Sequence, residues 1–373
     1  MRPYSNSART GNAMPPLALL CTLALAIVVP GCGRSSEENT NTTSNTTSNA
    51  TKVRTPHKIA TGPVEVANFK VALVTSGPTS DNGWNAGALK ALDEVKKEMN
   101  LSESNVAHEE NRTTDGQRDE SLRGYASQKF NVIFCHGNEY EPIALKMESE
   151  FPKTLFVVSS SDKLGDNTAP ISLKLEDGAY LEGMLAAGMS KTHIIASVGA
   201  EKIPPLQSLF AAFEQGAKSV DPNVKVLAPA YTGSWDDASK AKSQTLALIN
   251  QKADVIMQDV DAAAQGVFNA VSETAKSGKT VYALGTNRDQ NAAAPDVILA
   301  SAPIYIEKAF VGIAKGAQSG TYTLTDKPFD MKSGVIGFVL NPKLASKIPA
   351  DLKTKIEATQ KKIADGTMTV PTT

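Results

Sequence analysis

The chain has 373 residues and a formal net charge of −1, with 38 Lys and Arg against 39 Asp and Glu. That length is enough for two ordinary domains with real cores, and the charge balance leaves no broad positive surface for nucleic acid. Three cysteines (Cys21, Cys32, Cys135) and four scattered histidines (His57, His108, His136, His193) argue against a disulfide-held fold and offer no metal-ligand spacing.

Arg2 and Arg9 precede an apolar run over 17–29 that stops at Pro30-Gly31-Cys32. A positive start, a short apolar middle and small residues at the end read as an export signal over 1–31, too short for a stable membrane span. The ending resembles a bacterial lipobox, which would make Cys32 the lipidated first residue; an ordinary secretory signal cut nearby is the alternative. Residues 32–67, rich in Ser, Thr and Asn, have too little apolar surface to order themselves and read as a flexible tether. As a random coil it would reach about 30 Å.

From Phe69 the pattern changes. Strands are expected at 70–75, 131–135 and 154–158, and an apolar stripe of Trp84, Ala88, Leu92, Val95 and Met99 marks the first helix. The order repeats about 125 residues later. Strands at 194–198, 225–228, 253–257 and 280–284 alternate with helices at 205–220, 237–251 and 262–277. A strand at 296–301, a helix at 304–318, short strands over 329–340 and a final helix at 347–365 complete the chain. Near-continuous apolar strands alternating with amphipathic helices imply parallel sheets covered on both faces. Two such lobes present two sets of strand carboxyl ends, where ligands of α/β sheets bind, and facing them across a cleft gives a clamp; two independent domains side by side is the alternative. The expected lobes are 68–172 plus 301–325 and 173–300 plus 326–373, joined near 159–176, 298–303 and 323–336. Cys135, inside an apolar strand, reads as a small buried hydrophobe.

Several motifs in fixed order resemble the basic membrane protein family of bacterial lipoproteins, the substrate-binding components of ABC importers that include purine-nucleoside receptors. They are Asp81-Asn82-Gly83-Trp84-Asn85, Gly178-Ala179-Tyr180-Leu181-Glu182-Gly183, Phe213-Glu214-Gln215-Gly216, Tyr231-Thr232-Gly233-Ser234-Trp235-Asp236 and Gly285-Thr286-Asn287-Arg288-Asp289-Gln290. The resemblance spans about 69–365. It implies a type I periplasmic binding fold, α/β with two doubly wound parallel-sheet lobes and a three-crossover hinge. It also implies a small-molecule ligand and an ABC permease as partners, with no cofactor and no catalysis. The tether adds membrane attachment through lipid, and the protein is expected as a monomer.

In nucleoside-binding members an aromatic ring from each lobe sandwiches the base, and carboxylates with a lysine hold the ribose. The first aromatic matches Trp84, with Asp81 and Asn82 as the polar pair of the loop, able to meet a ligand or to cap the helix. His136, Glu139 and Tyr140 follow the second strand as further cleft candidates. The second-lobe aromatic falls on Leu209 with Phe210 beside it; one helical step turns about 100 degrees, which points Phe210 toward the core. The ribose carboxylate is replaced by Asn287, and no lysine stands near Pro303-Ile304. Asp259, Arg288 and Asp289 are the candidates to compensate. A stacking platform without strong charge favours flat neutral rings. A sensing module that signals to a membrane receptor is a rival reading. An extracytoplasmic enzyme using Asp81 or Asp259 as a base is another, weakened by the lack of a partnered nucleophile.

Overall fold

The computed structural model describes residues 55–59, 62–81 and 83–371. The expected signal, Cys32, the first part of the tether and Asn82 lie outside the described residues. The tether's last stretch is not free. Strand β1 (His57–Lys58) pairs with a later strand, Ile59 is buried, and the Val64 N–H donates to the Gln318 carbonyl at 2.8 Å. Apolar Ile59 and Val64 give this stretch something to bury, which the Ser/Thr/Asn composition around them hides.

The first sheet is built from β2 (Val71–Thr75), β3 (Val106–Glu109), β4 (Val132–His136), β5 (Leu155–Ser159) and β6 (Thr168–Ile171), interleaved with α1 (Trp84–Glu98), α2 (Asp115–Ser127) and α3 (Glu141–Met147). All pairings are parallel, in the order β3-β2-β4-β5-β6. The two-residue alternation of a strand explains the helices on both faces. Val71 and Leu73 pack with the α1 side, whereas Ala72 and Val74 pack with Leu122, Tyr125 and Met147 of α2 and α3. Cys135 belongs to the second of these cores, and burial pushes its thiol well up.

The second half follows the same plan. Its elements are α4 (Glu176–Met189), β7 (Ile194–Gly199), α5 (Pro204–Lys218), β8 (Lys225–Val226), β9 (Ala230–Tyr231), α6 (Ala238–Asn250), β10 (Val255–Asp259), α7 (Ala264–Lys276), β11 (Tyr282–Asn287) and β12 (Ile298–Pro303). Then come α8 (Ile306–Ser319), β13 (Thr323–Leu324), which pairs with β1, β14 (Val339–Leu340) and α9 (Ala350–Asp365). The sheet runs β14-β12-β11-β10-β7-β8, with β9 also on β7; only β14 is antiparallel. The predicted strand at 225–228 is cut to Lys225–Val226, with β9 a second short piece beyond it; β6 falls within the joining stretch expected at 159–176, and β3 is a strand the periodicity did not mark. β3 is half-exposed, so its apolar signal is weak.

Three segments cross between the sheets. After β6 the chain passes through Leu173, which bridges Phe329; after β12, Ile304 bridges Ile336; and the stretch between β13 and β14 returns. β12 itself lies wholly in the second sheet, so the second crossing falls just after 298–303. Helix α8 rejoins the first half, where Phe310 stacks on Phe134 with centroids 3.8 Å apart.

Helices α4 and α5 meet at two opposed glycines. A Cβ on Gly183 would lie 1.9 Å from the Phe213 carbonyl oxygen, and one on Gly216 would lie 1.9 Å from the Tyr180 carbonyl oxygen. The helix backbones therefore touch, which anchors α4 against the second sheet.

Candidate functional site

The loops beyond the carboxyl ends of β2, β4 and β5 on one side, and of β7, β10 and β11 on the other, enclose a cleft of about 690 Å³. Its position follows from the topology, since strand ends of a parallel sheet carry the loops that face a ligand.

Trp84 opens α1 and stands in the cleft wall, half-buried. Its indole stacks on the His136 ring with centroids 3.9 Å apart and planes 21° from parallel. His136, the last residue of β4, is buried and has both nitrogens engaged: Nε2 lies 3.1 Å from the Trp84 carbonyl and Nδ1 lies 3.0 Å from Ser159 Oγ. A carbonyl only accepts, so Nε2 donates and Nδ1 accepts a hydrogen bond from the Ser159 hydroxyl. Burial lowers the imidazole pKa to about 3, so the ring is neutral near neutral pH. His136 is thus a backing plate for Trp84.

Asp81 is a helix cap. Its carboxylate accepts from the N–H groups of Gly83, Asn85 and Ala86 at 2.8–2.9 Å and from Asn85 Nδ2 at 2.9 Å. The first-turn amides and the helix dipole compensate its charge. The capping alternative thus describes what this side chain does. Its bond to Asp81 fixes the Asn85 amide, leaving Asn85 Oδ1 buried without a donor among the described residues.

Across the cleft, β10 ends in Asp259 and β11 ends in Asn287. Asn287 Nδ2 donates to Asp259 Oδ1 at 3.0 Å and to Asp261 Oδ1 at 2.9 Å. Asn287 (φ 65°) and Asp261 (φ 46°) both hold left-handed backbone, which aims the two side chains at each other. Burial raises the Asp259 pKa to about 6 against the pull of the Asn287 amide. Asp261 is raised well above its ordinary value by burial first, then by the charges of Asp259 and Asp81. Beneath them Glu182 of α4 is fully buried, and its pKa is raised by burial first and then by Asp259, against the pull of the Ala302 backbone.

Asp261 touches the opposite side at Gly83. A Cβ there would lie 3.2 Å from Asp261 Oδ1 and 3.4 Å from its Cα, so a residue without a side chain lets the two sides meet. The one guanidinium of the cleft among the described residues, Arg118 of α2, pairs with Asp115 at 2.8 Å, lies 4.0 Å from Glu139 and covers the Tyr140 ring.

Six candidates come together in the walls: Asp81, Trp84, His136, Glu139, Asp259 and Asn287. Three do not. Tyr140 is fully buried beneath Arg118. Phe210 faces inward, and a Cβ on Gly199 would lie 2.9 Å from its ring, so its role is packing. Asp289 is exposed and bonds the Asn291 N–H at 3.0 Å, outside the cleft. Lys308, the nearest lysine after Pro303-Ile304, donates to the Gly334 carbonyl and lies over Tyr305 rather than entering the cleft. The residues missed are Asp261, Asn85, Arg118 and Trp235. Trp235 enters the cleft from the second half, whose expected stacking position falls on Leu209, a residue without a ring. Its signal lay within the Tyr231–Asp236 motif. The expectation of a cleft without strong charge is also overturned: among the described residues its walls carry Asp81, Glu139, Glu201, Asp236, Asp259 and Asp261 against Arg118. These acids sit on separate loops, so no run in the sequence announces them.

Comparison with known proteins agrees with this architecture. Residues 68–373 match the family model described as ABC transporter substrate-binding protein PnrA-like. Basic membrane protein A2 of Borrelia garinii subsp. bavariensis is 26% identical, over 83% of this chain and 90% of that protein. A purine-binding protein of Brucella abortus is 27% identical, over 80% of this chain and 81% of its own length. Among solved structures, an ABC transporter solute-binding protein from Aeropyrum pernix K1 superposes with a TM-score of 0.73 at 18% identity, covering 82% of this chain and 94% of that one. The fold is that of the type I periplasmic solute-binding proteins, and the chain belongs to the PnrA-like family of ABC transporter substrate-binding proteins.

Proposed function

We propose that this protein is a lipid-anchored extracytoplasmic receptor that closes on a purine nucleoside or nucleobase and delivers it to an ABC permease. The observation that carries the reading is the cleft itself. A tryptophan backed by a neutral histidine stands on one side, and a second tryptophan with hydrogen-bonding carboxylates stands on the other. Flat rings stack on such faces, and carboxylates accept from amino groups and ribose hydroxyls. The purine-binding name of the Brucella abortus relative points the same way. The acidic walls disfavour phosphorylated forms.

Calorimetric titration of the purified protein with adenosine, guanosine and hypoxanthine tests the reading. Saturable binding of one molecule per chain, without conversion of the ligand, is expected; turnover would turn the protein into an enzyme. Anchoring at Cys32 predicts that Cys32→Ser moves the protein from the membrane fraction to the soluble fraction. Retention of that variant in the membrane would place the attachment elsewhere.

A further inference from the structure

The cleft contains more negative charge than its own residues compensate. Arg118 is matched by Asp115 and Glu139, and Asp81 is matched by the first turn of α1. Asp259 and Asp261 share the neutral amide of Asn287, and their other donors, the Thr286 hydroxyl for Asp259 and the Trp84 N–H for Asp261, are uncharged too, with the buried Glu182 beneath them. An independent observation comes from the facing wall. Asn85 is 7% exposed and lines the same cleft, yet its Oδ1 has no hydrogen-bond donor among the described residues. A buried acceptor without a donor carries a desolvation penalty that a ligand N–H would remove.

Resting on the reading of this cleft as a small-molecule site, we propose that its preferred ligands are flat nitrogen heterocycles carrying a positive charge. The ring stacks on Trp84, and the charged N–H-bearing edge faces Asp259, Asp261 and Asn85. A cation there supplies the compensation that the protein lacks, in a site screened from water. A neutral purine meets the stacking surface but leaves the carboxylate pair facing each other across Asn287. The raised affinity of Asp259 and Asp261 for protons is the same deficit expressed with a proton in place of the ligand.

The test compares three nucleosides by calorimetry near neutral pH: 1-methyladenosine, which is cationic, 1-methylinosine, which carries the same methyl group but is neutral, and adenosine. The expected result is that 1-methyladenosine binds about tenfold tighter or better than 1-methylinosine and tighter than adenosine. Asp259→Asn should weaken binding of 1-methyladenosine more than that of adenosine and so erase most of that preference, with thermal melting confirming that the variant is folded. Equal or weaker binding of the cation by the unaltered protein overturns the proposal, whatever the variant does, and leaves the receptor reading standing if adenosine binds. If none of the three binds, the purine reading falls and the proposal with it.

Discussion

Replacing Trp84 with alanine is expected to weaken purine binding at least tenfold, because loss of a base–aromatic stack costs about 1–3 kcal/mol. The ring is prepared for this role before any ligand arrives. It stacks on His136 at 3.9 Å, and the His136 ring is held by Ser159 and by the carbonyl of Trp84 itself. Little rotamer freedom remains to be lost on binding, so the stacking energy reaches the affinity nearly intact. Trp84 also packs at the edge of the first core, so the variant will melt somewhat lower. Affinity measured well below that melt isolates the binding effect. Unchanged affinity would assign Trp84 to packing alone.

Gly216→Ala is expected to produce a large loss of stability for a single methyl addition. The added Cβ would lie 1.9 Å from the Tyr180 carbonyl oxygen, 2.7 Å from its carbonyl carbon and 3.0 Å from its Cα. All three are backbone atoms of α4, so no side chain can swing aside. The helices must separate, which uncovers Leu209, Phe213 and Met184 in the same core. A cost of about 3 kcal/mol or more follows, a fall in melting temperature of about 6 °C or more for a domain of this size. Circular dichroism melts of both forms check it. A shift within about 2 °C would mean that α4 and α5 can part freely.

Much of this architecture was legible because buried parallel strands have an unmistakable chemistry. Val71–Thr75 and Val132–His136 are apolar but for their last residues and buried on both faces, and helices lie between them. Trp84 was legible for a related reason: a tryptophan directly after a strand and a polar loop stands at the strand's carboxyl end. What stayed hidden depended on relations between distant loops. Asp261 gains its importance from Asn287 and Gly83, which come from two other segments, and from a left-handed backbone that no periodicity reports. Trp235 follows a two-residue strand, so no regular element pointed to it. Conversely, Tyr140 and Asp289 sat in the right stretches of sequence but turn away, one under Arg118 and one toward solvent. Sequence order places a residue near a cleft; the side-chain direction at a loop end is decided by local hydrogen bonds.

The account depends on two α/β halves closing over an intact small solute. Native mass spectrometry of the protein purified from cells measures this directly. One flat nitrogen heterocycle per chain, released unchanged on unfolding and absent from the Trp84→Ala variant, is the predicted result. Chemical conversion of the captured molecule, or its equal retention by Trp84→Ala, would contradict the account.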